Sequence, residues 1–162
     1  MPPATLSIRR ATASDLPALQ SLLDLYYREG DVQVTEDDDS LRTYLNSDPN
    51  GFFVAEQSSA EQPSTNEIAG CVLFRRLTSI PQAAECKRLF VLPRFRGHNI
   101  AAQLMDTLEA TARASNLRWL YLDSKDNFPT AIAMYRRRGY TDTSRYNQNP
   151  EATIFLRKDL GT

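Results

Sequence analysis

Glu85-Cys-Lys-Arg-Leu-Phe-Val-Leu-Pro-Arg-Phe-Arg-Gly-His-Asn-Ile-Ala-Ala-Gln-Leu-Met105 is the stretch whose reading decides the fold. A β-type run ends at Leu92-Pro93, a short basic turn follows with Arg94, Arg96 and Gly97, and a helix opens at about Ile100. Strand, tight basic turn and helix N-terminus together make an anion site. The backbone N–H groups of the turn and the positive end of the helix dipole point at one place. Arg94 and Arg96 can pair there with phosphate oxygens. The region is therefore expected to hold a phosphorylated ligand.

Working outward, the chain has 162 residues, which favours a single domain with a real core. It is 41% hydrophobic and 24% charged, ordinary for a soluble globular protein. A net charge of -1 gives no general nucleic-acid footprint. The charges are nonetheless segregated. Lys87, Arg88, Arg94, Arg96 and Arg136-Arg137-Arg138 lie in the second half, and Glu36-Asp37-Asp38-Asp39 in the first. That suits an anionic cofactor on one half and a cationic substrate near the other, or simply solvated faces. Cys71 and Cys86 sit in apolar runs and read as reduced core residues. One histidine and two distant cysteines give no metal spacing. The opening Met-Pro-Pro-Ala-Thr has no signal-peptide apolar core, and residues 1–5 read as a flexible start. No apolar run approaches the ~20 residues that span a bilayer. A cytoplasmic protein without membrane contact is expected.

Period-two and helical patterns give the element order. Leu6-Ser-Ile-Arg-Arg10 is an opening strand. Thr12, Ser14 and Asp15 are N-cap candidates for a helix carrying Leu16, Leu19, Leu22, Leu23 and Tyr26 and ending near Gly30. A short helix is expected over 37–46 and a turn at Asp48-Pro-Asn-Gly51. Strands follow over 52–56, 67–76 and 83–92, with a polar loop over 57–66. Next come a helix over 100–114, a strand over 117–123, and a helix over 130–138 closed by Gly139. The final strands are expected over 140–146 and 152–156. The middle strands pair as antiparallel neighbours, and the strand–helix–strand units demand parallel pairing or crossing over. The reading is a single α/β domain with a mixed, mostly antiparallel central sheet flanked by helices.

Two motifs now carry a resemblance. Arg94-Phe-Arg96-Gly97-His98-Asn99, followed by Ile100-Ala101, resembles the pyrophosphate signature Gln/Arg-x-x-Gly-x-Gly/Ala of the GNAT superfamily of acetyl-CoA-dependent N-acetyltransferases. Asn99 replaces the last Gly or Ala, and Asn is the non-glycine residue that best tolerates positive φ. Ala131-Ile-Ala-Met-Tyr135-Arg-Arg-Arg-Gly139-Tyr140 is similar to the family's second coenzyme helix. The family's Asn seven residues before that Tyr is Phe128 here, with Asn127 one step earlier. Glu85-x-Lys-Arg-Leu-Phe-Val and Tyr146-Asn-Gln-Asn149-Pro150 resemble a bacterial subgroup with Glu-x-Lys-Arg-Leu-Tyr-Val and Tyr-x-x-Asn-Pro.

The resemblance implies acetyl-CoA as co-substrate and no metal. It places the pyrophosphate on the N–H groups of Arg96, Gly97, His98, Asn99, Ile100, Ala101 and Ala102, and the pantetheine arm along Leu89, Phe90 and Val91. Arg94 and Asn127 are further coenzyme contacts. Tyr135 is the implied acid for the departing thiolate, or else a packed core tyrosine. Glu85 is the candidate general base; on strand alternation it shares a face with Lys87 and Leu89, with Arg88 opposite. Its alternatives are a Glu85–Lys87 surface pair or a substrate-binding carboxylate. His98 fits a backbone-donor turn better than a base. Tyr26, Tyr27, Tyr146 and Asn149 are candidate acceptor contacts, the last two equally turn-formers. A primary amine on a small molecule is the expected acceptor, and a homodimer is frequent among relatives. A non-catalytic acyl-CoA sensor and a peptide acetyltransferase are the alternative functions.

Overall fold

In the strand Gly51–Ser58 (β2), Phe52 and Val54 face one layer of helices while Phe53 and Ala55 face the other. The same alternation runs through the sheet, so both faces are apolar and both must be covered. The computed structural model describes residues 5–59 and 66–161 and shows how they are. Besides β2, the strands are Thr5–Arg10 (β1), Glu67–Leu77 (β3), Ala83–Val91 (β4), Trp119–Ser124 (β5), Thr141–Asp142 (β6) and Ile154–Asp159 (β7). The helices are Leu16–Gly30 (α1), Asp38–Leu45 (α2), Ile100–Ala114 (α3) and Pro129–Arg137 (α4). The seven strands form one sheet in the order β1-β2-β3-β4-β5-β7-β6. Every pairing is antiparallel except β4 with β5.

Leu104, Met105, Leu108 and Ala112 of α3, with Tyr135 of α4, bury against Phe53, Val72, Phe74, Leu120, Leu122 and Leu156. On the other face Leu16, Leu19, Leu22 and Leu23 of α1 and Leu41 of α2 bury against Phe52, Val54, Leu73 and Phe90. The caps are those the residues announce. Thr12 and Asp15 form a capping box before α1, and the Asp37 carboxylate accepts from Ser40 N–H at 2.8 Å at the start of α2. Gly139, at φ +93°, ends α4 in the left-handed conformation, and Tyr140 N–H reaches back to Tyr135 O at 3.1 Å. Cys71 and Cys86 are free and buried. No helix among the described residues is long and apolar enough to cross a membrane.

Three expectations need correcting. Gln57 and Ser58 belong to β2, not to the polar loop, most of which lies outside the described residues. Likewise, Thr5 starts β1, and residues 1–4 of the expected flexible start lie outside the described residues. The last two strands are also displaced. β6 stops at Asp142 because Tyr146, Asn147 and Asn149 turn across the sheet to meet Glu85 and Asp123. β7 starts at Ile154, and Thr153 N–H, which donates to Ser124 O at 3.0 Å, closes the end of its ladder with β5.

The third correction concerns β4. Arg88 sits at φ +56°, and the β3–β4 register slips there: Leu73 pairs with Lys87, but Cys71 pairs with Phe90. The extra residue inverts the alternation. Ala84 and Cys86 face α3, and after the bulge Leu89 and Val91 do. Glu85 and Leu89 are therefore on opposite faces of the strand. Arg88 joins Glu85 on the α1 side, where its guanidinium lies over Tyr26 and Tyr27.

At the sheet edge, Arg9 donates to Asp15 at 2.8 Å through both terminal nitrogens and to Glu56 at 3.1 Å. These bonds hold both carboxyls below their ordinary range. A depressed carboxyl stabilises above its unfolded pKa, about 4, and that contribution is lost as pH falls through the folded value. Asp15→Asn is expected to lower stability at pH 7 by about 1–3 kcal/mol. It should also flatten the acid limb of a denaturation-midpoint-versus-pH curve; parallel acid limbs for the two proteins would reject the linkage.

Candidate active site

β4 and β5 pair in parallel only from Ala83 with Trp119 to Cys86 with Leu122. Beyond Cys86 the strands part, and the wedge between them is the site. A cleft of about 480 Å³ opens from it. Leu89, Phe90 and Val91 form one wall. Arg96, Gly97, Asn99 and the first turn of α3 (Ile100, Ala101 and Ala102) form the floor, and Asn127 lies opposite. Ten of the residues expected at the coenzyme thus share one cleft. Arg94 and His98 do not line it. Arg94 pairs with Glu67 and lies over the Phe95 ring, and His98 turns its Nδ1–H back to the Phe95 and Arg96 carbonyls at 3.1 Å.

The floor suits an anion. Asn99, at φ +62°, occupies the N-cap of α3, so the N–H groups that follow have no partner within the helix. Gly97, at φ +83°, has nothing within 4 Å of where a Cβ would stand, which leaves the turn open to a close approach. Arg96 donates through Nε to Val91 O at 3.0 Å and pairs with Glu29 of α1 at 2.8 Å across the cleft.

A smaller cavity of about 40 Å³ lies deeper in the wedge. Its lining combines apolar Leu89, Phe128, Ala131 and Tyr26 with polar Lys87, Arg88, Asp123 and Tyr135. Burial, and after it the neighbouring Cys86, Tyr26 and Asp123 in that order, push the Tyr135 phenol well above its ordinary pKa, so it stays protonated. Tyr26 stacks on Phe128 with ring centres 5.8 Å apart and meets Phe90 edge-on at 5.9 Å. Tyr27 is set back: its hydroxyl binds Glu36, which holds Arg88 Nε at 2.9 Å.

Glu85 is 0% exposed and lines neither cavity. Its oxygens are taken by Arg75 and by the Tyr146 hydroxyl at 2.9 Å, with Lys87 at 4.0 Å. The carboxylate that reaches the inner cavity is Asp123, which sequence reasoning missed. Its signal was a charged residue at the C-terminal end of the buried run Trp-Leu-Tyr-Leu-Asp, just where a parallel pairing ends. Asp123 accepts from Lys87 at 3.2 Å, Asn147 at 2.5 Å and Asn149 at 3.3 Å. Burial would raise its pKa, but the Lys87 charge and these hydrogen bonds outweigh burial and hold it below the ordinary range. Asn149 and Tyr146 therefore meet the site through carboxylates. Among the described residues no cluster of His, Cys, Asp and Glu could hold a metal ion.

Comparison with known proteins agrees with this geometry. The model of the acetyltransferase (GNAT) family matches residues 16–140. An IAA acetyltransferase of Azospirillum brasilense is 29% identical over 99% of this chain and 100% of its own length. A GNAT-family acetyltransferase structure from Staphylococcus aureus covers 97% of this chain and 100% of its own at 22% identity, with a TM-score of 0.80. A putative acetyltransferase from Salmonella typhimurium, solved with acetyl-CoA, superposes with a TM-score of 0.74 at 16% identity, over 96% of this chain and 94% of its own. The chain belongs to the GNAT family of acetyltransferases.

Proposed function

We propose that this acetyltransferase moves an acetyl group from acetyl-CoA directly to a primary amine of a small molecule, both bound together in the wedge. The supporting observation is the meeting of an anion-binding cleft and a small inner cavity at Leu89 and Ala131, with Tyr135 lining the inner one. Acetyl-CoA supplies the thioester that the amine attacks. Arg96 and the N–H groups at the start of α3 hold the pyrophosphate. Past Cys86, β4 has no β5 neighbour, so its backbone edge is available to pair with the pantetheine arm. One N–H in Leu89–Val91 polarises the thioester carbonyl. Tyr135 gives its proton to the departing thiolate.

On the acceptor side the charges alternate: Arg75, Glu85, Lys87, Asp123. They sum to zero, so an incoming ammonium adds an unbalanced charge beside Lys87, whereas a neutral amine does not. The site thereby favours loss of the amine's proton on entry. As the C–N bond forms and the C–S bond breaks, Asp123 accepts a hydrogen bond from the amine and guides its departing proton to solvent, and solvent returns a proton to Tyr135, so one proton leaves the nitrogen for each one that reaches the sulfur. Glu85 acts as a positioning residue, fixing Lys87 and Tyr146 behind it.

The test is release of free thiol from acetyl-CoA against amines, amino acids, polyamines and short peptides. Turnover with a small amine is expected. Acetyl-CoA binding without turnover on any acceptor would favour a non-catalytic binding module, and turnover confined to peptides would shift the acceptor class. With the accepted amine, Tyr135→Phe is expected to lower kcat by about 10²-fold or more, with little change in the acetyl-CoA KM. An unchanged kcat would remove Tyr135 from the chemistry.

Glu29 competes with phosphate for Arg96. The pair is half-exposed, so its strength is modest. Glu29→Gln is expected to tighten CoA binding about two- to five-fold in low salt, measured by titration calorimetry, and the gain should shrink as salt rises. Unchanged or weaker binding would mean that Glu29 does not oppose the phosphates.

A further inference from the structure

Phe128 stands at the N-cap of α4, and the fold is built around its ring. A Cβ placed on Gly30 would lie 2.1 Å from the Phe128 ring tip, so only glycine at the end of α1 admits it. The ring stacks on Tyr26 at an interplanar angle of 10°. The loop that carries it is tied to the end of α1 by two residues just ahead of it. Lys125 Nζ donates to Gly30 O at 3.1 Å and to Asp31 O at 2.6 Å, and Asn127 Nδ2 donates to Gly30 O at 3.0 Å. Moving the loop away from α1 would break these bonds.

Phe128, Tyr26, Leu89 and Ala131 line both the outer cleft and the inner cavity. They form an apolar collar between the two. A thioester whose arm runs along Leu89–Val91 would bring its acyl group to this collar, where Phe128 and Ala131 offer it apolar surface and Lys87 and Asp123 offer charge. The cavity beyond measures about 40 Å³. One water needs about 10–15 Å³ of probe volume, so the room is only a few heavy atoms, shared between the acyl end and the amine nitrogen. An acetyl group has three; a butyryl group has five.

We infer that Phe128, locked by Gly30 and Tyr26, is the wall that restricts the acyl group of the donor to about two carbons. The inference rests on the acetyl-CoA reading of the cleft.

The test is binding alone, so it needs no acceptor. CoA, acetyl-CoA, butyryl-CoA and hexanoyl-CoA are titrated calorimetrically into wild type, Phe128→Ala and Phe128→Leu, with thermal melting to confirm folding. In wild type, CoA and acetyl-CoA are expected to bind, with hexanoyl-CoA about tenfold weaker or more. The Phe128 variants should bring hexanoyl-CoA close to acetyl-CoA. If Phe128→Ala fails to fold, Phe128→Leu and the wild-type series still decide. Equal wild-type affinity across chain lengths would overturn the inference, as would discrimination that survives in a folded Phe128 variant. Failure of CoA itself to bind would instead overturn the coenzyme reading, and the inference with it.

Discussion

The single parallel contact in the sheet governs the rest of the molecule. β4 and β5 are held together for four residues and then released. Two neighbouring strands that part leave backbone edges and a gap, and an unfilled gap is unstable in a packed interior. Here the gap is bordered by Tyr26 from α1, Phe128 and Ala131 from the start of α4, and Tyr135 one turn later. The bulge at Arg88 belongs to the same event. It swings one more cation to the α1 side, where Glu36 and two tyrosine rings receive it, and it turns Leu89 and Val91 to the opposite face.

The fold was legible because its signals are local. Alternation in Phe52-Phe-Val-Ala55 and helical spacing from Leu16 to Leu23 each fix one element, and Gly139 marks a helix end that the backbone needs. The turn from Arg94 to Ala102 could be read as an anion floor for the same reason: strand, turn and helix N-terminus are contiguous. What could not be read was non-local. The positive φ at Arg88 follows from a register slip against β3, and no residue type there demands it. Counting by twos from Glu85 therefore puts Leu89 on the wrong face. Asp123 was hidden because its importance comes from where β5 leaves β4. Phe128 was visible only as a departure from a motif; its partner Gly30 lies nearly a hundred residues away.

The arginines show why motif membership and site membership differ. Arg94 and Arg96 occupy equivalent-looking places in the basic turn, yet Arg96 lines the cleft while Arg94 is taken by Glu67. Arg96 itself is shared between the Val91 carbonyl and Glu29. The carbonyl bond anchors the guanidinium to β4, and the Glu29 pair reaches across to α1. Both elements that flank the wedge thus act on one guanidinium. Since exposed pairs are weak and salt-screened, this contact can yield to a more highly charged partner without disturbing the fold.

The inner cavity sets two chemistries side by side, and one group connects them. Asp123 is kept ionised by Lys87 and two asparagines, and its negative charge is among the influences that raise the Tyr135 pKa. The carboxylate proposed to face the amine therefore also helps keep the phenol protonated, as a proton donor at the thiol end requires. Burial is the larger influence on Tyr135, so neutralising Asp123 would be felt first at Lys87, which would lose its strongest partner. The amine side and the thiol side are in this sense one electrostatic unit. Direct transfer within a single wedge, as proposed, would use that closeness, because the proton leaving the amine and the proton reaching the sulfur would both be handled in one cavity.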